Sequence, residues 1–163
     1  MTGSSSVAFR NGQVSAPELM ACTGLEVVSR LADGTLSPPS MAETLPFTLL
    51  PPEEGRIELQ AIPEARCCNL TNTIHGGWAM TMLDTAMSLA AQTTLAPGET
   101  CPSLETTAKF IRPISIHSGV MHVTGQVIAR GRTIITLEGR IENADGKIHV
   151  HGTSSCMIVP CKA

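Results

Sequence analysis

The stretch that most restricts the fold of this chain runs from Cys67 to Ala91, CCNLTNTIHGGWAMTMLDTAMSLAA. It opens polar, passes through His75-Gly76-Gly77, and becomes a long apolar run holding one acid, Asp84. From Trp78 to Ala91 there is no Pro or Gly, and Ala, Met and Leu dominate, which is helix composition. Ala79, Met82, Leu83, Ala86 and Leu89 or Ala90 form one apolar stripe, while Met80, Met87 and Ala91 make the other faces apolar too. A helix apolar all round is a buried one, so this segment is expected to be the central helix of the fold.

A carboxylate on a buried helix needs a partner or a task, because an unpaired buried charge is costly. Gly76 and Gly77 stand where the first turn begins, so backbone N–H groups there are open to close approach by a ligand. The helix dipole adds positive potential at the same end, suited to an oxyanion forming on a carbonyl. An acid and an oxyanion hole are the parts of an acyl-transfer site. Gly77 and Asp84 are seven residues apart, which at helical rise puts them roughly 10 Å apart along the axis. Catalytic contacts need about 3 Å, so one carbonyl cannot meet both residues of one chain. If both act on one substrate, two central helices run antiparallel across a two-fold axis and the active form is a homodimer.

A chain of 163 residues is long enough for one good core and short for two domains. Residues 1–14 are polar and expected to be disordered. Ser15-Ala16-Pro17-Glu18 is a capping-box pattern opening a helix whose apolar face carries Leu19, Met20, Leu25, Val28 and Leu31. Gly24 is placed to divide that helix, and Asp33-Gly34 to end it. Residues 15–44 thus form a helical extension and linker, and 45–160 the main domain. Pro46–Leu50 and Ile57–Ile62 are a strand pair, with Ile57, Leu59 and Ala61 on one face. After the helix come four strand-like runs, Leu104–Arg112, Val120–Arg130, Thr133–Glu142 and Lys147–Val159, expected as an antiparallel meander. Their turns fall at Pro113–Gly119, Gly131-Arg132 and Asn143–Gly146. One helix this apolar needs a sheet curled round it, an α+β architecture.

Net charge is −3 with no Lys/Arg run, and one Trp, three Phe and no Tyr leave little to stack on bases; neither nucleic acid nor an anionic membrane is an expected partner. No apolar run reaches spanning length, and the N-terminal residues lack the apolar core of a signal peptide, so a cytoplasmic location is expected. The six cysteines show no framework spacing and are expected reduced. His149 and His151 share one strand face, yet sequence identifies no third ligand, so no metal and no redox cofactor is expected.

Asn69, then IleHisGlyGlyTrpAlaMetThrMetLeuAsp, then SerLeuGluThrThrAlaLysPheIleArgPro resemble the PaaI-type hotdog-fold acyl-CoA thioesterases, over about Leu45 to Ile158. The resemblance implies the hotdog fold, a curved antiparallel sheet wrapped round one long helix. It implies hydrolysis of an acyl- or aryl-CoA thioester to a free acid and coenzyme A, with no cofactor beyond the substrate's own coenzyme A. By resemblance, Asp84 is the catalytic acid, as nucleophile on the carbonyl or as general base on water, and the Gly76 N–H is the oxyanion donor. Asn69 positions the thioester or the water, His75 orients the loop or contacts the thioester, and Ser103 helps hold the water. In the family the Gly and Asn come from one subunit and the acid from the other, as the helix geometry requires; the expected assembly is a homodimer or a dimer of dimers. Gly77 and Met80 border this site, and Arg112, Arg130 and Arg132 are the cations that could meet coenzyme A phosphates. Two rival functions stand beside hydrolysis: an acyl-thioester hydratase or dehydratase on the same fold, and a non-catalytic acyl-CoA-binding protein.

Overall fold

A computed structural model describes residues 16–161. The disordered segment expected at 1–14 and the Ser15 cap lie outside the described residues, as does the side chain of Leu19. The extension contains three short helices, α1 (Ala16–Ala21), α2 (Gly24–Ala32) and α3 (Met41–Thr44). The chain breaks after α1 because Thr23 begins a new helix: its hydroxyl accepts from the Glu26 N–H at 3.3 Å, and Glu26 accepts from the Thr23 N–H at 2.7 Å. Gly24 itself is a packing position. A Cβ there would lie 1.6 Å from the Gln92 carbonyl oxygen, and its N–H donates to Leu95 O at 2.9 Å, tying the extension to the end of the central helix.

Strands β1 (Thr48–Leu49) and β2 (Arg56–Ala61) precede the central helix α4 (Gly76–Gln92). Then follow β3 (Glu99–Thr100), β4 (Ser103–Phe110), β5 (Met121–Arg130), β6 (Ile134–Glu142), β7 (Ile148–Met157) and β8 (Val159–Pro160). The main sheet has six antiparallel strands in the order β1-β2-β5-β6-β7-β4, and β3 pairs with β8 apart from it. Only β5, β6 and β7 form a meander. The first of the four expected runs leaves the helix and crosses to the far edge, where among the described residues its sheet neighbour is β7, not β5.

Alternation puts Ile57, Leu59, Met121, Val123, Ile135, Leu137, Ile141 and Val150 on the concave face, where they bury against Met82, Leu83, Ala86 and Met87 of α4. The helix sinks deep because Gly125, Gly139 and Gly152 stand in register across β5, β6 and β7 directly beneath it. A Cβ on Gly125 would lie 2.4 Å from the backbone carbon and oxygen of Ala86. This is the α+β hotdog architecture expected from the sequence.

The expectation that α4 is buried on every side requires correction. Gly77, Met80, Thr81, Asp84, Thr85, Ser88 and Gln92 form a strip left half-buried or exposed, since one curved sheet covers only part of a helix surface. Alternation also fails at three bulges, one between Ser103 and Glu105 in β4, one between Val127 and Ala129 in β5 and one at His149 in β7, where His149 and Val150 are both buried. Leu104 and Ala129 are exposed as a result.

Candidate active site

The loop that leads into α4 is held by Asn69. Its side-chain oxygen accepts from the Thr71 N–H at 3.0 Å and the Thr73 N–H at 3.2 Å, and its amide donates to Thr73 Oγ1 at 2.9 Å. Such short-range bonds let the chain double back with Asn72 at φ 60°. Ile74 and His75 are then pinned by N–H bonds to Ile114 O and Cys67 O, each 2.8 Å. His75 caps the helix: its Nδ1 accepts from the Gly77 N–H at 2.9 Å, so the ring proton of the neutral imidazole sits on Nε2. The Trp78 N–H bonds His75 O at 3.0 Å.

Of the first-turn donors, Gly77 and Trp78 are therefore engaged, while no described residue accepts from the Gly76 N–H. Gly76 lines a cleft of about 350 Å³ with Asn69, Ala79, Phe110, Arg112 and Ile114. The absence of a side chain matters here, because a Cβ on Gly76 would lie 3.1 Å from Phe110 Cζ. A free N–H at a helix start, facing a cleft, is a ready site for a carbonyl oxygen gaining negative charge.

Two turns along, Asp84 is half-buried in the open strip of α4 and faces β4. Its Oδ1 accepts two hydroxyl bonds, from Ser103 at 3.0 Å and from Thr106 at 2.8 Å. Ser103 Oγ also lies 3.0 Å from Ser88 Oγ, and Thr106 Oγ1 3.1 Å from Ser154 Oγ, whose hydroxyl donates to Glu105 O at 2.8 Å. No described residue bonds Asp84 Oδ2. Sequence reasoning found Ser103 but missed Ser88, Thr106 and Ser154. Ser88 was findable as the hydroxyl one helical turn after Asp84; Thr106 was hidden by the bulge.

Two buried thiols stand behind this cluster. Cys156 Sγ is 4.0 Å from Ser103 Oγ, and Cys101 Sγ is 3.9 Å from Ser88 O. Cys156 is drawn down to about 7, chiefly by the hydrogen bond from the Cys101 thiol, against burial and the negative charge of Asp84. The same bond pushes Cys101 upward.

The expected cations separate. Arg112 borders the cleft beside Gly76, with its guanidinium on the carbonyl of Ile148. Arg130 lies at the other end of α4, bonding Thr94 O at 3.1 Å and Glu99 at 3.3 Å. Arg132 is exposed in the β5–β6 turn. Met80 is half-buried one turn before Asp84. His149 is buried with Nδ1 3.0 Å from Pro113 O, while His151 stands 3.8 Å from Glu138. Among the described residues no group of three potential ligands is placed to hold a metal ion. Nor is any described helix long and apolar enough to cross a membrane.

The family profile of the thioesterase superfamily matches residues 71–149, the segment that carries the cap, the acid and four of the six main-sheet strands in whole or part. Over that segment, a little under half of the chain, the sequence fits the thioesterase superfamily. Among solved structures, the phenylacetic acid degradation-related protein of Ralstonia eutropha JMP134 is 26% identical, with a TM-score of 0.73 over 79% of this chain and 97% of that one. PaaI of the Escherichia coli phenylacetic acid degradation operon shares the fold at 19% identity and TM-score 0.73, covering 86% and 97% of the two chains. So does smu.793 of Streptococcus mutans UA159, a structure bound to acetyl CoA, at 17% identity and TM-score 0.65 over 72% and 91%. No curated protein sequence matches the chain. The PaaI-type resemblance read from the His-Gly-Gly motif is thus borne out, and the general chemistry of the family is thioester hydrolysis.

Proposed function

We propose that this chain hydrolyses an acyl- or aryl-CoA thioester, with Asp84 as the acid and the Gly76 N–H as the oxyanion donor. The observation that carries the reading is the state of Asp84: a carboxylate on the open strip of α4, one oxygen held by two hydroxyls and the other free of protein partners. The Ser103 and Ser88 hydroxyls beside it are suited to holding a water, which favours the general-base route. Asp84 takes a proton from that water as its oxygen attacks the thioester carbonyl carbon. The carbonyl oxygen becomes an oxyanion and is met by Gly76 N–H. Collapse breaks the C–S bond, and the proton held by Asp84 passes to the departing coenzyme A thiolate, leaving a free acid. No metal or redox cofactor is required.

Gly76 and Asp84 are eight residues apart on one helix, about 12 Å at helical rise, so each site in this reading takes Gly76 and Asn69 from one protomer and Asp84 from the other. The open edge of β4, with Leu104 and Phe110 exposed along it, supports a two-fold pairing of this kind. Arg112, at the Gly76 end of the cleft, is the cation best placed to meet the phosphates of coenzyme A. The acetyl CoA bound by smu.793 supports a coenzyme A thioester as the substrate class. The expected setting is cytoplasmic, with neither nucleic acid nor membrane as partner.

The test is thiol release from a panel of short, medium, long and aryl acyl-CoA substrates. Asp84→Asn should lower the rate by about 10²–10⁴-fold. Mixing Asp84→Asn with Gly76→Ala protomers should restore activity above either parent, because a mixed dimer has one intact site. Near-full turnover by Asp84→Asn would remove Asp84 from the chemistry. Tight binding of acyl-CoA without turnover by the wild type would leave a binding protein.

A further inference from the structure

Resting on the hydrolytic reading of Asp84, we infer that Thr106 is a positioning residue that holds one oxygen of the Asp84 carboxylate so that the other meets the substrate, and that the bulge at Leu104 exists in this fold to bring it there. In a regular strand, residues three apart point to opposite faces. Ser103 and Thr106 are three apart, yet both reach Asp84 Oδ1. The register explains how. Ser103 pairs with Cys156, Glu105 with Ser155 and Thr106 with Ser154, so Leu104 is the extra residue and is turned outward, 54% exposed. Cys156 and Ser154 both face inward and are buried, so the bulge shifts the parity of the strand and delivers two hydroxyls to one carboxylate. Without it, either Ser103 or Thr106 would face the outside of the sheet.

The two hydroxyls have unequal freedom. Ser103 is exposed and has Ser88 Oγ 3.0 Å away as a second partner, so it exchanges Asp84 for a water without losing its hydrogen bonding. Thr106 is half-buried, carries a β-branched side chain with few rotamers, and rests 3.1 Å from the buried Ser154 Oγ. It stays. A carboxylate rotates about its terminal torsion between two nearly equivalent orientations. A fixed donor on Oδ1 removes that equivalence and leaves Oδ2 as the oxygen that takes the proton. Ser103 and Ser88 are then the groups that turn to the attacking water.

The experiment compares Thr106→Val, of nearly equal volume, with Thr106→Ser, which keeps the hydroxyl. Steady-state thiol release is measured on the best substrate of the panel, alongside thermal unfolding. Thr106→Val should lower kcat by about 10–100-fold, the scale of a misplaced catalytic group, with KM within about twofold. Thr106→Ser should regain most of that loss. Wild-type kcat in Thr106→Val would overturn the inference, as would an equal loss in Thr106→Ser, because a packing role follows shape and a positioning role follows the hydroxyl. In an Asp84→Asn background, Thr106→Val should cost nothing further, and a further loss there would also overturn it. Asp84→Asn alone tests the underlying reading: its retained turnover would defeat that reading whatever Thr106 does.

Discussion

Replacing Gly125 by Ala tests how the fold holds Asp84 in place. The added Cβ would sit 2.4 Å from Ala86 C and O and 2.7 Å from Met87 N, whereas ordinary contact begins near 3.4 Å. The separation must therefore grow by 3.4 − 2.4, about 1 Å, and every atom met is backbone of α4, which no rotamer change can move aside. Overpacking of this kind costs about 1–3 kcal/mol, and the rigid neighbours argue for the upper end. At this chain length about 3 kcal/mol lowers the melting temperature by roughly 6–12 °C. A helix lifted by about 1 Å also stretches the 2.8 Å bond from Thr106 to Asp84 beyond hydrogen-bond reach, so turnover should fall with stability. Gly146→Ala is the comparison. Gly146 has φ +72° and nothing within 4 Å of an added Cβ, so that variant bears only the cost of left-handed backbone, about 1–2 kcal/mol, and should keep its kcat. Differential scanning calorimetry and thiol release on the three proteins decide it. If Gly125→Ala melts within about 2 °C of wild type at unchanged kcat, the glycine row does not set the depth of the helix.

Gly76→Ala should lose turnover through contact with Phe110, 3.1 Å from the new Cβ, and Gly76→Ala with Phe110→Ala should recover part of it, measured as kcat/KM. His75→Ala removes the acceptor of the Gly77 N–H and should cost about 1 kcal/mol by thermal unfolding, with His75→Asn retaining most of it as a competent cap. Cys156, drawn to about 7 first by the Cys101 thiol, should show a thiolate ultraviolet inflection near that pH, and Cys101→Ala should move it up toward the ordinary 9.0. Between these two values the folded chain binds fewer protons at Cys156 than the unfolded one, so this contribution to stability is complete above 9 and is lost as pH falls through 7. Cys101, raised by the same bond, acts in the opposite sense, and its contribution is lost at alkaline pH. Stability of wild type minus Cys101→Ala across this range should therefore peak near pH 9.

The elements nearest the motif were legible because local chemistry decides them. A Pro- and Gly-free run rich in Ala, Leu and Met became α4, and Gly131-Arg132 and Asn143–Gly146 became the hairpin turns, closed by Gly131 N–H to Ile134 O and Asn143 N–H to Lys147 O. What composition could not carry was which side of α4 stays open. Met80 and Thr85 are as compatible with a core as Met82 and Ala86 are, and only the reach of the sheet separates them. Thr23-Gly-Leu-Glu at the start of α2 is a capping box, masked by Gly24, which by composition reads as a helix breaker. The position of β4 depends on pairing with residues about fifty positions later, and the bulge at Leu104 breaks the alternation from which faces are read. Asp84, Gly76, Asn69, His75 and Ser103 all lie on or beside the helix as the motif suggested. Thr106 is brought to Asp84 by sheet register, which local sequence does not encode.

The far-edge position of β4 has a further consequence for how the protein is made. The hydroxyls that hold Asp84 stand on a strand whose sheet neighbour among the described residues is β7, and Thr106 meets Ser154 across a sequence separation of 48 residues. As the chain leaves the ribosome, α4 and β4 emerge early but β4 has nothing to pair with until residues 148–157 arrive. Pairings so distant in sequence close late, after local helix and hairpins have formed. Nascent chains ending before β7 should therefore carry the His-Gly-Gly helix start and the acid without the hydroxyl clamp, and release no thiol. Of the main-sheet strands, the one synthesised last completes the site.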